Sequence, residues 1–322
     1  MKNLKFFEFN SDKKSENVDI LTNLKDKQQK KINSKYFYNE MGSKLFDQIS
    51  KLDDYYPTRK ELEILDKKKI ILNQLIPENA SIIEFGSGSN IKINKLLKMV
   101  RNPKRYISID ISREFLLSNA EKIAKNFPLI NVNAVCSDFM HTNLLKKIIN
   151  KSEKNVGFFP GSTIGNFCPD DAKSLMKNFA RILGKNNFII IGVDLRKNKD
   201  VMEKAYNDPQ GVTAKFNKNI LNEVYRKTGL KINKKNFDHK AYFNNEKKRI
   251  EMHLVSKISH KIDFCDEQIK IKEGETIHTE NSYKYTIDEF KDLAKKSGFK
   301  TIKVLTDSKN YFSIFYLRVF SN

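Results

Sequence analysis

The chain has 322 residues, 39% of them hydrophobic, enough for a sizeable core and more than a minimal domain needs. Its formal net charge is +21 and its isoelectric point about 9.6, a balance that would suit an anionic partner. The cations are mostly Lys, spread along the chain with Asn and Ile, whereas a nucleic-acid binder more often gathers Arg and aromatics on one element. Runs such as Lys67-Lys68-Lys69 and Lys234-Lys235 therefore read as solvated faces, and no nucleic-acid partner is expected.

No apolar run approaches the roughly 20 residues of a membrane span, and the opening Met1-Lys2-Asn3-Leu4-Lys5 lacks a secretory core. A cytoplasmic protein with no membrane partner is the expectation, with a monomer as the default. Cys136, Cys168 and Cys265 are far apart and lack C-x-x-C spacing, so they read as reduced thiols. The five histidines lack H-x-x-x-H spacing, and no metal is expected.

In chain order, Glu61 to Leu75 reads as a helix. Ser81-Ile82-Ile83-Glu84-Phe85 is a short apolar strand that ends in a glycine turn, and Ile93, Leu96, Leu97 and Val100 follow at helical spacing. Strands are then predicted at Arg105–Asp110, Asn131–Cys136, Asn155–Phe159 and Phe188–Val193, with helices at Glu114–Asn126 and Asp171–Leu183 between them. This alternation implies parallel β-α-β units with ligand sites at the strand carboxyl ends.

After Asp194 the alternation stops for a long polar stretch and resumes with a helix from Ile287 to Ser297. Two strands joined by a polar turn at Asp307 to Asn310 close the chain. The predicted fold is α/β: a mostly parallel sheet whose C-terminal antiparallel hairpin resembles the usual ending of the Rossmann-like class I methyltransferases, plus a second α+β substrate domain. Residues 61–196 and 287–322 form the methyltransferase domain, and 1–60 with 197–286 form the second.

Gly86-Ser87-Gly88 lets the backbone turn tightly and approach a ligand. A lone G-x-G is a weak signal, but Asp110 ends the next strand, where a carboxylate can accept both ribose hydroxyls of a nucleoside. Asp138 and Phe139 end the third strand, where an acid can bond an adenine amine and an aromatic can lie against the ring. A dinucleotide fingerprint would want a third glycine where Ile91 stands. Asp after a strand is also a common helix cap, so the three features count together rather than singly.

Further strings go beyond the generic fold. Tyr36 to Phe46 (YFYNEMGSKLF), Tyr55 to Glu61 (YYPTRKE), Gly161 to Asn166 (GSTIGN), Gly211 to Asn217 (GVTAKFN) and Arg249 to Met252 (RIEM) resemble, in the same order, the histidine-specific Nα-methyltransferase family of ergothioneine biosynthesis. The resemblance runs from about residue 36 to the C-terminus. It implies S-adenosyl-L-methionine as methyl donor, held by Gly86, Ser87, Lys92, Asp110, Asp138 and Phe139. It also implies L-histidine as substrate, bound by Tyr55, Asn166, Tyr206, Met252, Glu280, Asn281 and Ser282, with Tyr38, Asn166 and Gly161 orienting the reacting amine.

The chemistry agrees with that assignment. Asn166 and Tyr206 can donate to the substrate carboxylate, Glu280 can accept an imidazole N–H, and Ser282 can serve the other ring nitrogen. The implied product is Nα,Nα,Nα-trimethyl-L-histidine, made in three steps. Asn281, Tyr283 and His253 depart from the family pattern. They keep open methylation of another amino acid such as tryptophan, and the charge keeps open an RNA-binding methyltransferase.

Overall fold

The computed structural model describes residues 2–9, 13–139, 145, 147–149, 153–264 and 267–320; Cys265 lies outside them. The chain divides into two compact units, Met1–Ser11 with Pro57–Arg196 and Tyr283–Asn322, and Asp12–Tyr56 with Lys197–Ser282.

The first unit carries an eight-stranded sheet of order β1-β5-β4-β3-β6-β7-β14-β13. Its strands are β1 (Leu4–Glu8), β3 (Ser81–Phe85), β4 (Arg105–Asp110), β5 (Asn131–Cys136), β6 (Asn155–Phe159), β7 (Phe188–Asp194), β13 (Phe299–Thr306) and β14 (Phe312–Val319). Pairings from β1 to β7 are parallel, whereas β14 runs antiparallel to β7 and to β13. Every residue of β3 and β6 is buried, as expected of parallel strands covered on both faces.

Alternate side chains feed two cores. Ile83, Phe85, Ile109 and Phe159 pack with Leu175, Met176 and Phe179 of a helix at Pro169–Leu183. Ile82, Tyr106, Val132 and Phe158 pack with Ile93, Leu96, Leu116 and Ile123 from helices at Asn90–Met99 and Arg113–Asn126. The Pro169–Leu183 helix opens with Pro and two Asp in its first turn, matching the free N–H groups and positive dipole end. Thr286 and Glu289 form a capping box on the Ile287–Lys296 helix.

Three differences from the sequence reading appear. The helix expected over residues 61–75 is two, Tyr56–Lys67 and Lys69–Leu75, broken at Lys68. Leu4–Glu8, expected in the second domain, instead extends the sheet by pairing in register with Val132–Cys136; five residues without an obvious alternation give no partner away. The boundaries fall at Pro57 and Tyr283 rather than at residues 61 and 287.

The second unit contains a four-stranded sheet of order β2-β12-β9-β8, from Lys30–Lys31 (β2), Thr276–Tyr283 (β12), Arg249–Ser256 (β9) and Phe237–Asn244 (β8). A separate antiparallel pair joins β10 (His260–Phe264) to β11 (Glu267–Ile271). Its long helix, Val212–Thr228, buries Phe216, Ile220, Leu221 and Val224 and ends at Gly229 in the left-handed region. The polar stretch after Asp194 hid these strands because most are polar on one face.

Candidate active site

Strand β3 lies between β4 and β6, the point where the strand order reverses and where sheets of this kind receive ligands. The chain leaves β3 through Gly86 at φ 78°, a conformation cheap only for glycine. The Gly86 and Ser87 N–H groups donate to the Ile109 carbonyl at 2.9 and 3.1 Å, which fixes the turn against β4. A methyl on Gly86 would come within 3.9 Å of the Phe139 ring. Phe139 is itself set edge-on against Phe159 and Phe167, with ring centroids 5.7 and 6.3 Å apart. The glycine turn, Asp110 and Phe139 are thus brought to one edge.

Asp110 ends β4, and its Oδ1 accepts the Ser112 N–H at 2.8 Å. Burial pushes its carboxyl up to about 7, against the lowering pull of the Ser112, Ile111 and Ser87 amides. Such a carboxyl gains from hydroxyl donors, which favour its charged form, and a ribose diol provides two. Glu84, which the sequence reading passed over, is buried at the end of β3 and accepts the Tyr106 hydroxyl. Burial pushes it to about 8 while Tyr106 pulls it back. Its signal was an acid inside an otherwise apolar strand two residues before Gly86.

Gly161, at φ 79°, and Asn166 bracket the loop after β6, which closes as a short 3-10 helix over Thr163–Asn166. Ser162 is left-handed at φ 58°, and its Oγ accepts the Asp194 N–H at 2.9 Å. Lys92 pairs at 2.5 Å with Glu61, a carboxylate with no exposed surface. Sequence spacing gave no sign of that pair.

In the second unit Tyr38, Tyr55 and Tyr206 join one aromatic cluster through Phe46 and Phe216. Phe46 lies 6.1 Å from Tyr38 and 6.0 Å from Tyr55, and Tyr55 lies 6.2 Å from Tyr206. The Tyr206 hydroxyl donates to Ser282 Oγ at 2.8 Å, linking two residues expected to read histidine. On β12 the buried positions are Ile277 and Thr279, then Glu280 and Ser282. Burial passes there from one face of the strand (Ile277, Thr279) to the other (Glu280, Ser282); burial of one face throughout would have covered Asn281 instead. Asn281 is partly exposed, yet its Oδ1 is buried without a hydrogen-bond partner among the described residues.

Asn217 ties these elements together. Its amide nitrogen donates to His239 Nδ1 at 2.9 Å and to the His253 carbonyl at 3.0 Å, and its Oδ1 accepts the Thr279 hydroxyl at 2.7 Å. Thr279 also lies 3.0 Å from the Met252 carbonyl, and His239 Nε2 lies 2.8 Å from the Tyr206 carbonyl. An amide donor on Nδ1 leaves the proton on Nε2, so His239 donates to Tyr206 as the neutral ring. Burial holds its pKa below the usual value.

His253, a departure from the family pattern, stacks on Tyr242 and contacts Glu251 at 3.1 Å. Glu251, His253 and His278 bring ligand atoms within 4.8 Å of one another, a grouping across strands that linear spacing could not show. Arg249 and Tyr242 already hold the Glu251 carboxylate at 2.6 and 2.8 Å. Burial raises that carboxyl, but the Tyr242, Arg249 and His253 contacts outweigh it and leave it at about 2. The adjacent guanidinium opposes a dication. Of the cysteines, Cys168 donates to Asp171 Oδ2 at 2.9 Å and burial pushes Cys136 up to about 11. Among the described residues no helix is long and apolar enough to cross a membrane.

A parallel sheet closed by an antiparallel hairpin, with a glycine turn at the switch strand and acids after the next two strands, defines a class I S-adenosylmethionine-dependent methyltransferase. Within that class the chain belongs to the histidine-specific, S-adenosylmethionine-dependent methyltransferase family, whose profile matches residues 16–319. It is 32% identical over 290 residues to the histidine N-alpha-methyltransferase of Mycolicibacterium smegmatis, spanning 88% of this chain and 89% of that protein. The histidine N-alpha-methyltransferase of Mycobacterium tuberculosis is 31% identical over 301 residues, with 92% of each chain covered. Ergothioneine biosynthesis protein 1 of Neurospora crassa is 35% identical over 204 residues, 60% of this chain and 23% of that longer protein.

Proposed function

We propose that the chain is an L-histidine Nα-methyltransferase that makes Nα,Nα,Nα-trimethyl-L-histidine in three successive transfers, the opening reaction of ergothioneine biosynthesis. Membership of the histidine-specific family carries the reading, and relatives named for histidine over nearly their whole length favour it over tryptophan or RNA.

Bound S-adenosylmethionine supplies an electrophilic methyl on its sulfonium. In this reading Asp110 accepts the ribose hydroxyls, Gly86 and Ser87 leave the backbone open to the nucleoside, Asp138 and Phe139 take the adenine, and Lys92 takes the carboxylate end. Asn166 and Tyr206 donate to the histidine carboxylate. Glu280 accepts an imidazole N–H, Ser282 serves the other ring nitrogen, and Tyr55 and Met252 complete the apolar surround, with Asn281 beside them. The Tyr206 hydroxyl, which donates its one proton to Ser282 Oγ in the structure, would turn it to the histidine carboxylate on binding, with Ser282 then donating to the ring nitrogen.

The amine arrives as an ammonium and must shed a proton before it can attack. It leaves to water, directly or relayed through tyrosine hydroxyls that pass on a proton of their own, and Tyr38, Asn166 and Gly161 orient the nitrogen as methyls accumulate. No strong base is invoked, because positioning supplies most of the rate in such transfers. A side chain without a ring N–H would forgo the hydrogen bond to Glu280, the kind of loss that discriminates strongly.

The test is to incubate the purified protein with S-adenosylmethionine and each amino acid separately, following release of S-adenosylhomocysteine. Histidine should be consumed and tryptophan ignored; release with tryptophan alone would overturn the substrate assignment.

A further inference from the structure

Glu61 is a carboxylate with no exposed surface, on the helix at Tyr56–Lys67. A buried charge persists only where its partners replace water. Lys92 Nζ lies 2.5 Å from Oε2, and the Gly161 N–H donates to Oε1 and Oε2 at 3.1 and 2.9 Å. Gly192, on β7, makes the room: a methyl there would overlap the Glu61 carboxylate. One side chain therefore touches three separate elements, namely the helix after the glycine turn, the loop after β6 and the middle of β7.

Two of the groups it holds already carry functional assignments. Lys92 belongs to the helix at Asn90–Met99, and a four-carbon stem leaves a lysine ammonium free to swing unless something fixes it. Gly161 sits at φ 79°, its next residue Ser162 at φ 58°, so the loop bearing Asn166 starts with two left-handed residues in a row. That loop is pinned from one side by Asp194 through Ser162 Oγ and from the other by Glu61 through the Gly161 amide.

We propose that Glu61 is a positioning residue for methyl transfer, whose carboxylate fixes the Lys92 ammonium toward the carboxylate end of the cofactor and clamps the Gly161 amide at the start of the Asn166 loop. The inference rests on the assignment of Lys92 to the cofactor made above. Glu61 touches neither reactant; it acts through Lys92 and Gly161. It also neutralises Lys92, so that the ammonium is held without an uncompensated charge when no anion is bound.

Calorimetric titration of S-adenosylhomocysteine into the full chain tests this with Glu61→Gln, Lys92→Met and the double variant. Each single variant should weaken binding about tenfold or more, the scale of one charge-assisted hydrogen bond. The double variant should be no more than about threefold weaker than the weaker single, because both changes break one linkage. A purely structural role for Glu61 would not produce that coupling, and losses that multiply would overturn the proposal. So would Glu61→Gln binding like the parent while Lys92→Met is weak. Parent-like binding by Lys92→Met would remove the cofactor assignment itself, a distinguishable result. If Glu61→Gln does not fold, Gly192→Ala displaces the same carboxylate without changing its chemistry. It should weaken binding in the parent and add nothing in the Lys92→Met background; parent-like binding would overturn the inference.

Discussion

At the carboxyl ends of β3, β4 and β5 the first unit offers acids, a glycine turn and backbone amides, whereas the second unit offers aromatic rings and, beside the acid Glu280, neutral side chains joined by hydrogen bonds. Asp110 and Glu84 are carboxyls that burial drives up to about 7 and 8. Across Tyr206, Ser282, Asn217, Thr279 and His239 the groups satisfy one another. The contrast fits two ligands of different kinds. A nucleoside diol is recognised by a carboxylate whose charge it stabilises, while a small amino acid is selected by groups whose geometry is fixed beforehand.

The largest expected effect breaks this comparison on the nucleoside side. Asp110→Asn loses two charge-assisted hydrogen bonds and should weaken S-adenosylhomocysteine about 100-fold in a calorimetric titration. A loss under about threefold would detach Asp110 from the nucleoside. Next, Glu280→Ala should lower kcat/KM for histidine about 100-fold while leaving S-adenosylhomocysteine affinity within about twofold; equal damage to both would dissolve the division of labour.

A pH series sharpens the same contrast. With a carboxyl near 7, the accepting charged form of Asp110 is depleted as pH falls. The dissociation constant for S-adenosylhomocysteine should then rise toward about tenfold per pH unit below 7, and the slope should vanish in Asp110→Asn. The smallest effect is a control away from both ligands. Thr286→Ala removes the capping box and should cost about 1 kcal/mol in denaturant unfolding, with binding of both ligands unchanged.

The two units also differ in how much of them can be read from sequence. The strands of the parallel sheet appear as short apolar runs because both faces are buried, and Gly86, Asp110 and Phe139 follow from their places at strand ends. Leu4–Glu8 escaped because an edge strand shows its partner only in three dimensions. The Glu61–Lys92 pair was invisible for the same reason, since Gly192 makes the space for it from a distant strand. In the second unit the resemblance named Tyr206, Glu280 and Ser282. The change of buried face along β12 that covers Glu280, and the Asn217–His239 link behind Tyr206, depend on packing that no linear period encodes. Phe46 and Phe216 lie within the family-like strings, and only the ring contacts place them beside Tyr38 and Tyr55.

The most direct test of histidine Nα-methylation is the mass of the product. Purified protein, L-histidine and excess S-adenosylmethionine should give a time course in which histidine gains one, two and finally three methyl groups, with fragmentation locating all of them on the α-nitrogen. Methyl groups on the imidazole ring, or histidine recovered with its mass unchanged, would contradict the account.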